Sequence, residues 1–176
     1  MNLEEKTLSS KLIYSGKIIN VSVDDVLLPN GKNGVREHIK NSGGACIIAE
    51  KDGCLFFVKQ FRYPYKKVIL ELPAGKLNEN EDPKICAIRE LKEETGLTAD
   101  NVTLLHSIYP TPAYTNEIIY IYKADNVVEG STNFDEDEFL NLEKIPIDKV
   151  KEKLLNGEIH DAKTIIALYS YFFNKK

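Results

Sequence analysis

The chain has no tryptophan, a single methionine and three cysteines. Cys46, Cys54 and Cys86 form no C-x-x-C pair, and an odd, scattered set fits neither a disulfide framework nor a soft-metal site, so reduced and buried thiols are expected. Basic runs are also missing. Nothing longer than Lys-Lys occurs, and 23 Lys and Arg against 27 Asp and Glu leave a formal charge of −4. A polyanion therefore finds little electrostatic footing, and no nucleic-acid partner is expected. Long apolar runs are absent as well. The longest near the C-terminus, Thr164 to Phe173, is far short of the ~20 residues that cross a bilayer. Met-Asn-Leu-Glu-Glu-Lys lacks the apolar centre of a signal peptide, so no membrane contact and a cytoplasmic setting are expected. His38, His106 and His160 are scattered without ligand spacing. There is no internal repeat or low-complexity tract.

What is present is a chain of 176 residues, 43% hydrophobic, enough for a real core. Lys11 to Gly16 and Lys17 to Leu28 alternate apolar and polar residues, as in Ile19, Val21 and Val23 against Asn20, Ser22 and Asp24. Pro29-Asn30-Gly31 supplies a turn, and Gly34 to Lys40 returns as a partner strand. The expectation is an N-terminal antiparallel hairpin over residues 1–43. Such a hairpin is marginal alone and must pack on a following domain or a second subunit. Residues 44–176 form the main domain. There Ala45 to Ala49, Cys54 to Gln60 and Val68 to Leu72 read as strands, then a helix, then strands over Val102 to Tyr109 and Glu117 to Lys123. A strand near Leu140, a helix opened by Pro146 and closed by Gly157, and a last helix capped by Asp161 follow.

The helix after the third of these strands carries the chemistry. Asp82 and Pro83 look like an N-cap and first-turn proline, and Gly96 like the stop. At helical spacing Ile85, Ile88, Leu91 and the Thr95 methyl share one side, with Glu90, Glu93 and Glu94 on the other. Carboxylates at i, i+3 and i+4 repel one another. Two readings of that face stand at this point: a solvated acidic surface balanced by Arg89 and Lys92, or a site for a hard divalent cation, which takes carboxylate oxygens and keeps positions for water and phosphate.

The spacing extends beyond the helix. Gly75, five residues, Glu81, seven residues, Arg89-Glu90-Leu91, one residue, Glu93-Glu94, one residue, Gly96-Leu97 matches every fixed position of the Nudix box. The chain thus resembles the Nudix hydrolases, which cleave a nucleoside diphosphate linked to another moiety. The resemblance implies a mixed α/β fold, an α/β/α sandwich around a mixed sheet. It implies Mg²⁺, with Mn²⁺ as a substitute, held by Glu90 and Glu94 with Glu93 close by, while Arg89 orients Glu93 or Glu90.

Further residues narrow the resemblance to the ADP-ribose pyrophosphatases. They are Ser15 to Ile19, Val23 to Val26, Leu28 to Gly31, Arg36-Glu37, Gln60-Phe61-Arg62 and Glu71-Leu72-Pro73-Ala74-Gly75, Pro112 fifteen residues beyond Leu97, and Asp135 to Glu138 ahead of Gly157-Glu158-Ile159 and Asp161-Ala162. Departures occur at Ser42-Gly43-Gly44, where Pro-Gly-Ala is common, and at Thr111-Pro112-Ala113, where Ser-Pro-Gly is common. The implied reaction is Mg²⁺-dependent hydrolysis of ADP-ribose to AMP and ribose 5-phosphate. Another nucleoside diphosphate-sugar, such as a GDP-sugar, is the alternative; a non-catalytic sensor is disfavoured because Glu90, Glu93 and Glu94 are all present. The resemblance places a backbone carbonyl ligand at Ala74, a further ligand at Glu138 and the general base at Glu136, with the choice between Glu136 and Glu138 open. Arg62 is the expected phosphate-binding cation. Glu71, Pro112 and Glu117 are further substrate-site candidates, and Arg36 and Glu37 are expected to reach a partner's site in a homodimer. Phe61, Tyr63, Tyr65 and Tyr114 are candidates to stack on the base.

Overall fold

The computed structural model describes residues 2–130 and 139–173. The chain divides into two compact units, one running up to Gly43 and taking in Tyr109–Ile118, the other made of Gly44–Ile108 and Ile119 onward.

The first unit is a three-stranded antiparallel sheet in which β2 (Asn20–Leu27) lies between β1 (Lys6–Ser15) and β3 (Asn33–Lys40). β2 and β3 are the expected hairpin pair, and β1, expected from Lys11, is longer and completes a third strand. β1 begins at Lys6, in a polar stretch without an apolar signature, and pairs along β2 through two register shifts, between Thr7 and Ser9 and between Leu12 and Tyr14. The β2–β3 turn is built as its residues dictate. Gly31 takes φ +80°, its N–H donates to the Leu28 carbonyl at 2.9 Å, and the Lys32 N–H donates to Asn30 Oδ1 at 3.0 Å. Ile39 N–H donates to the Tyr114 carbonyl at 2.7 Å and the Asn116 N–H to the Ile39 carbonyl at 3.2 Å, tying Tyr109–Ile118 to β3.

The second unit holds a mixed sheet of order β8–β4–β10–β9. Its strands are β4 (Gly44–Ile48), β8 (Ala74–Lys76), β9 (Leu97–Ile108) and β10 (Ile119–Glu129), with β10 parallel to β4 and the other pairs antiparallel. A second, antiparallel sheet joins β11 (Leu140–Pro146), β6 (Cys54–Arg62) and the short β5 (Glu50–Lys51), with β7 (Lys67–Glu71) also on β6. The helices are α1 (Pro83–Thr95), α2 (Ile147–Leu155) and α3 (Ala162–Phe173).

Alternation along β4 explains the layers. Cys46 and Ile48 join Phe57, Leu72, Ile121 and the buried residues of α2 and α3, Val150, Leu154, Ala167 and Leu168. Ala45, Ile47 and Ala49 join Phe56, Tyr122 and the α1 residues Cys86, Ala87 and Leu91. Successive β residues face opposite ways, so one strand feeds two cores and helices cover both faces. The result is the expected α/β/α arrangement, with two sheets rather than one. Two short strands, β5 and β8, were not expected, and β9 starts directly at Leu97 where the sequence pointed to Val102. Among the described residues no helix is long and apolar enough to cross a membrane.

Candidate functional site

α1 starts and stops where its sequence says. Asp82 Oδ1 accepts the Lys84 N–H at 2.8 Å, Pro83 opens the first turn, and Gly96 at φ +72° donates its N–H to the Lys92 carbonyl at 2.9 Å. Its packed face keeps the expected Leu91 and Thr95, with Ile88 partly buried beside them, but leaves out Ile85 and takes in two of the acids. Ile85 is 56% exposed, whereas Glu90 and Glu94 are 7% and 3% exposed and lie on the buried side with Cys86, Ala87 and Leu91. The helix therefore turns two carboxylates inward, and a buried charge persists only if it is paired, hydrogen-bonded or metal-bound.

Arg89 answers much of that need. Its Nε and Nη2 contact Glu81 at 2.9 and 3.0 Å, Nη1 contacts Glu90 at 2.6 Å and Glu93 at 2.8 Å, and Nη2 also donates to the Lys76 carbonyl at 3.1 Å. One guanidinium thus collects three acids and a backbone oxygen, a planar fork that lysine could not reproduce. Hydrogen bonding from Arg89 holds the Glu81 carboxyl down at about 2, and the same contacts raise the Arg89 guanidinium above its ordinary value. The Asn78 N–H donates to Glu81 Oε2 at 2.9 Å, fixing the strut from its other side.

The segment Glu71-Leu72-Pro73-Ala74-Gly75 runs past this cluster. The Ala74 N–H donates to Glu94 Oε2 at 3.0 Å, and the Ile47 N–H donates to the Pro73 carbonyl at 2.9 Å. Gly75 is there for space: a Cβ at that position would fall inside the Glu90 carboxylate. Gly44, on the paired strand β4 and opposite Lys76, has the same constraint, since its Cβ would collide with the Gly75 carbonyl oxygen.

A second charged cluster sits at the start of that segment. Glu71, 3% exposed, receives Arg62 Nε at 2.6 Å and Nη2 at 2.8 Å, and Lys163 Nζ contacts the same Oε2. Lys163 Nζ also donates to Asp161 Oδ1 at 2.9 Å, while Asp161 Oδ2 accepts the Thr164 N–H at 2.9 Å as the cap of α3. Burial pushes the Glu71 carboxyl up, but its bonds to Arg62 and Lys163 outweigh that and hold it below the usual carboxylate range. Thr164, fully buried, accepts the Leu72 N–H at 2.9 Å.

The structure therefore brings Ala74, Arg89, Glu90, Glu93 and Glu94 together, and Arg62 with Glu71. Arg36, Glu37, Pro112 and Glu117 belong to the other unit. There the Arg36 Nε donates to Glu5 Oε2 at 2.8 Å and Glu37 lies opposite Val23 in the sheet. Pro112 is in the turn closed by the Thr115 N–H on the Thr111 carbonyl at 3.3 Å, and the Glu117 N–H is bound to Thr115 Oγ1 at 3.1 Å. Glu136 and Glu138 lie outside the described residues. Lys163 was not anticipated, because a lysine in a first helical turn reads as surface.

Among the described residues no three acidic, histidine or cysteine side chains converge with metal-holding geometry. Glu90 and Glu94, buried beside the backbone of Ala74 and Gly75, nonetheless offer the hard oxygen donors that a divalent cation takes, so their chemistry fits part of a ligand set.

Residues 40–168 match the NUDIX domain, and residues 5–39 match the nucleoside diphosphate sugar hydrolase N-terminal domain. The chain belongs to the Nudix family. It is 41% identical over 170 residues to the ADP-ribose pyrophosphatase of Bacillus subtilis, covering 95% of this chain and 92% of that protein. It is 39% identical over 168 residues to the methanol dehydrogenase activator of Bacillus methanolicus, covering 94% and 91%. The crystal structure of an ADP compounds hydrolase superposes with a TM-score of 0.85 over 98% of this chain and 95% of that chain; at 22% identity this establishes the fold. Nudix enzymes generally need a divalent metal, and α1 with the preceding Gly75 is the Nudix box of this member.

Proposed function

We propose that this Nudix protein hydrolyses the pyrophosphate of ADP-ribose to AMP and ribose 5-phosphate with Mg²⁺, Mn²⁺ serving in its place. The observation that carries the chemistry is the inward-facing pair Glu90 and Glu94 beside the Gly75 backbone, with Arg89 braced on Glu81 beneath it. The substrate assignment draws on the B. subtilis relative. Glu90, Glu94 and the Ala74 carbonyl hold the cation, with Glu138 completing the set. When bound, the metal offsets charge on the pyrophosphate oxygens and makes attack by water easier. The chain's own groups do the rest. Arg89 keeps Glu90 and Glu93 from swinging into solvent, Glu136 takes the proton from water, with Glu93 the next candidate, and Arg62 binds phosphate. Glu71 orients Arg62, and Pro112 and Glu117 shape the substrate side.

The enzyme acts as a homodimer joined through the N-terminal sheet, with Arg36 and Glu37 serving the partner's site. Leu8, Leu12, Ile13, Tyr14 and Val35 are all exposed on this sheet, an apolar load that a second copy would cover. The three free cysteines agree with a cytoplasmic setting.

A panel of ADP-ribose, GDP-mannose and other nucleoside diphosphate-sugars, assayed with Mg²⁺, with Mn²⁺ and with chelator, tests the reading. ADP-ribose should have the highest kcat/KM, with activity abolished by chelator. A higher kcat/KM on a GDP-sugar would replace the substrate assignment, and metal-independent turnover would remove the metal assignment.

A further inference from the structure

The cluster around Glu71 contains more charge than an arginine needs to be held. Arg62 already has a bidentate partner, yet a second cation, Lys163, reaches the same carboxylate from α3, and a second acid, Asp161, steadies that lysine. Lys163 is largely buried, and burial alone would lower its pKa; Asp161 and Glu71 outweigh burial and keep it charged. Stability is a weak reason for such an arrangement, because buried ion pairs are often replaceable by apolar residues at no loss. Position is a better one. Glu71 takes the Nε–Nη2 edge of Arg62 and so leaves the Nη1 edge of the fork to a phosphate. A carboxylate bound only by Arg62 could rotate with it. Lys163 on Oε2 pins that carboxylate, and Asp161 in turn holds Lys163, so Glu71 presents a fixed plane to Arg62.

We propose that Lys163 is a positioning residue for hydrolysis, fixing the Arg62 guanidinium through Glu71 in the plane that receives a nucleoside diphosphate. The proposal rests on the reading of Arg62 as the phosphate-binding residue. Asp161 acts one step further back. It caps α3 with one oxygen and holds Lys163 with the other, so the helix start and the arginine are set by the same side chain.

The test is a double-mutant cycle with Lys163→Met, Arg62→Ala and the pair, read by calorimetric binding of ADP-ribose without divalent metal and by kcat and KM with saturating Mg²⁺. Lys163→Met should weaken binding and raise KM about tenfold while kcat stays within about twofold of wild type, and it should cost little more in the Arg62→Ala background, as coupled residues do. Unchanged binding in Lys163→Met, or losses that multiply in the double variant, would overturn the role of Lys163 and leave Arg62 standing. Unchanged binding in Arg62→Ala alone would remove the phosphate-binding reading itself, and the proposal with it. If Lys163→Met does not fold, Asp161→Asn takes its place in the cycle. An amide oxygen still caps α3 but no longer anchors the ammonium, so the same smaller, non-additive loss is expected, and additivity overturns the proposal.

Discussion

β1 mixes apolar with polar residues whereas β4 is apolar throughout, and every residue of β1 is exposed while Ala45, Cys46, Ile47 and Ile48 of β4 are at 1% or less. The continuous run of β4 is what a strand buried on both faces requires, and the mixed run of β1 asks for cover on one face at most. β4 is flanked by β8 and β10 and sandwiched between α1 and α3, so both of its faces find cover within the chain. β1 is an edge strand whose own apolar side chains remain open to solvent. Alternation says that a strand can face a core, and the rest of the chain decides whether there is one.

The largest difference should appear when large side chains are removed from the two regions. Phe57→Ala, in the fully buried core beneath α2 and α3, should cost about 3–5 kcal/mol in chemical denaturation. Leu12→Ala should leave the unfolding free energy of the monomer within about 0.5 kcal/mol of wild type. A comparable loss at both positions would mean that the two strands are covered alike.

A catalytic contrast comes next. Glu94→Gln keeps an oxygen for the Ala74 N–H but withdraws a charge from the metal site. Turnover should fall at least about a hundredfold, since even the outer partners of metal ligands are worth about 10–100-fold. The melting temperature without metal should be unchanged or higher, because a buried charge and its repulsion are gone. Wild-type turnover at saturating Mg²⁺ would show that the box helix is not the metal site.

Leu12→Glu sharpens the other side of the comparison. If a second copy covers the N-terminal sheet, light scattering should show the dimer dissociating at about a hundredfold or more higher concentration, since each dimer loses two buried leucines. An unchanged dissociation curve would place the interface elsewhere.

The smallest effect is electrostatic. The Glu81 carboxyl, held at about 2 by Arg89 against an ordinary 4.5, is charged in the folded state at pH values where the unfolded chain takes up a proton. A depressed pKa stabilises fully above the ordinary value, and the contribution fades as pH falls from about 4.5 toward about 2. Melts of wild type and Glu81→Gln should therefore differ by a constant amount near neutrality and converge across that acidic window. A gap that stays constant to about pH 2 would assign the effect of Glu81 to something other than its charge.

How much of this could be read beforehand follows the range of each interaction. The ends of α1 are set by its immediate neighbours, Asp82, Pro83 and Gly96, and the sequence shows them. Its buried face is set by what lies across from it. Glu90 and Glu94 turn inward because Gly75 leaves room and Arg89 leaves charge, and helical periodicity, which favours Ile85 for the core, carries neither fact. β8 has only the residues Ala74–Lys76 and no alternation; its existence depends on the close approach of Gly44 and Gly75. Asp161 was legible as a cap because capping is local. Its hold on Lys163 was hidden, since that lysine gains its meaning from Glu71, 92 positions away.

The bond from the Leu72 N–H to Thr164 Oγ1 also spans 92 positions, and it fastens the segment that leads into Ala74 and Gly75. Closure over such a separation is entropically late, and a ribosome delivers α3 last of the three helices. The box helix can therefore form early from its own caps, while the backbone beside it is secured only when the C-terminal helix docks. In pulse-labelled refolding the amide of Leu72 should gain protection together with α3 and after α1. The last helix to arrive thus sets the moment at which a folded chain becomes a working one.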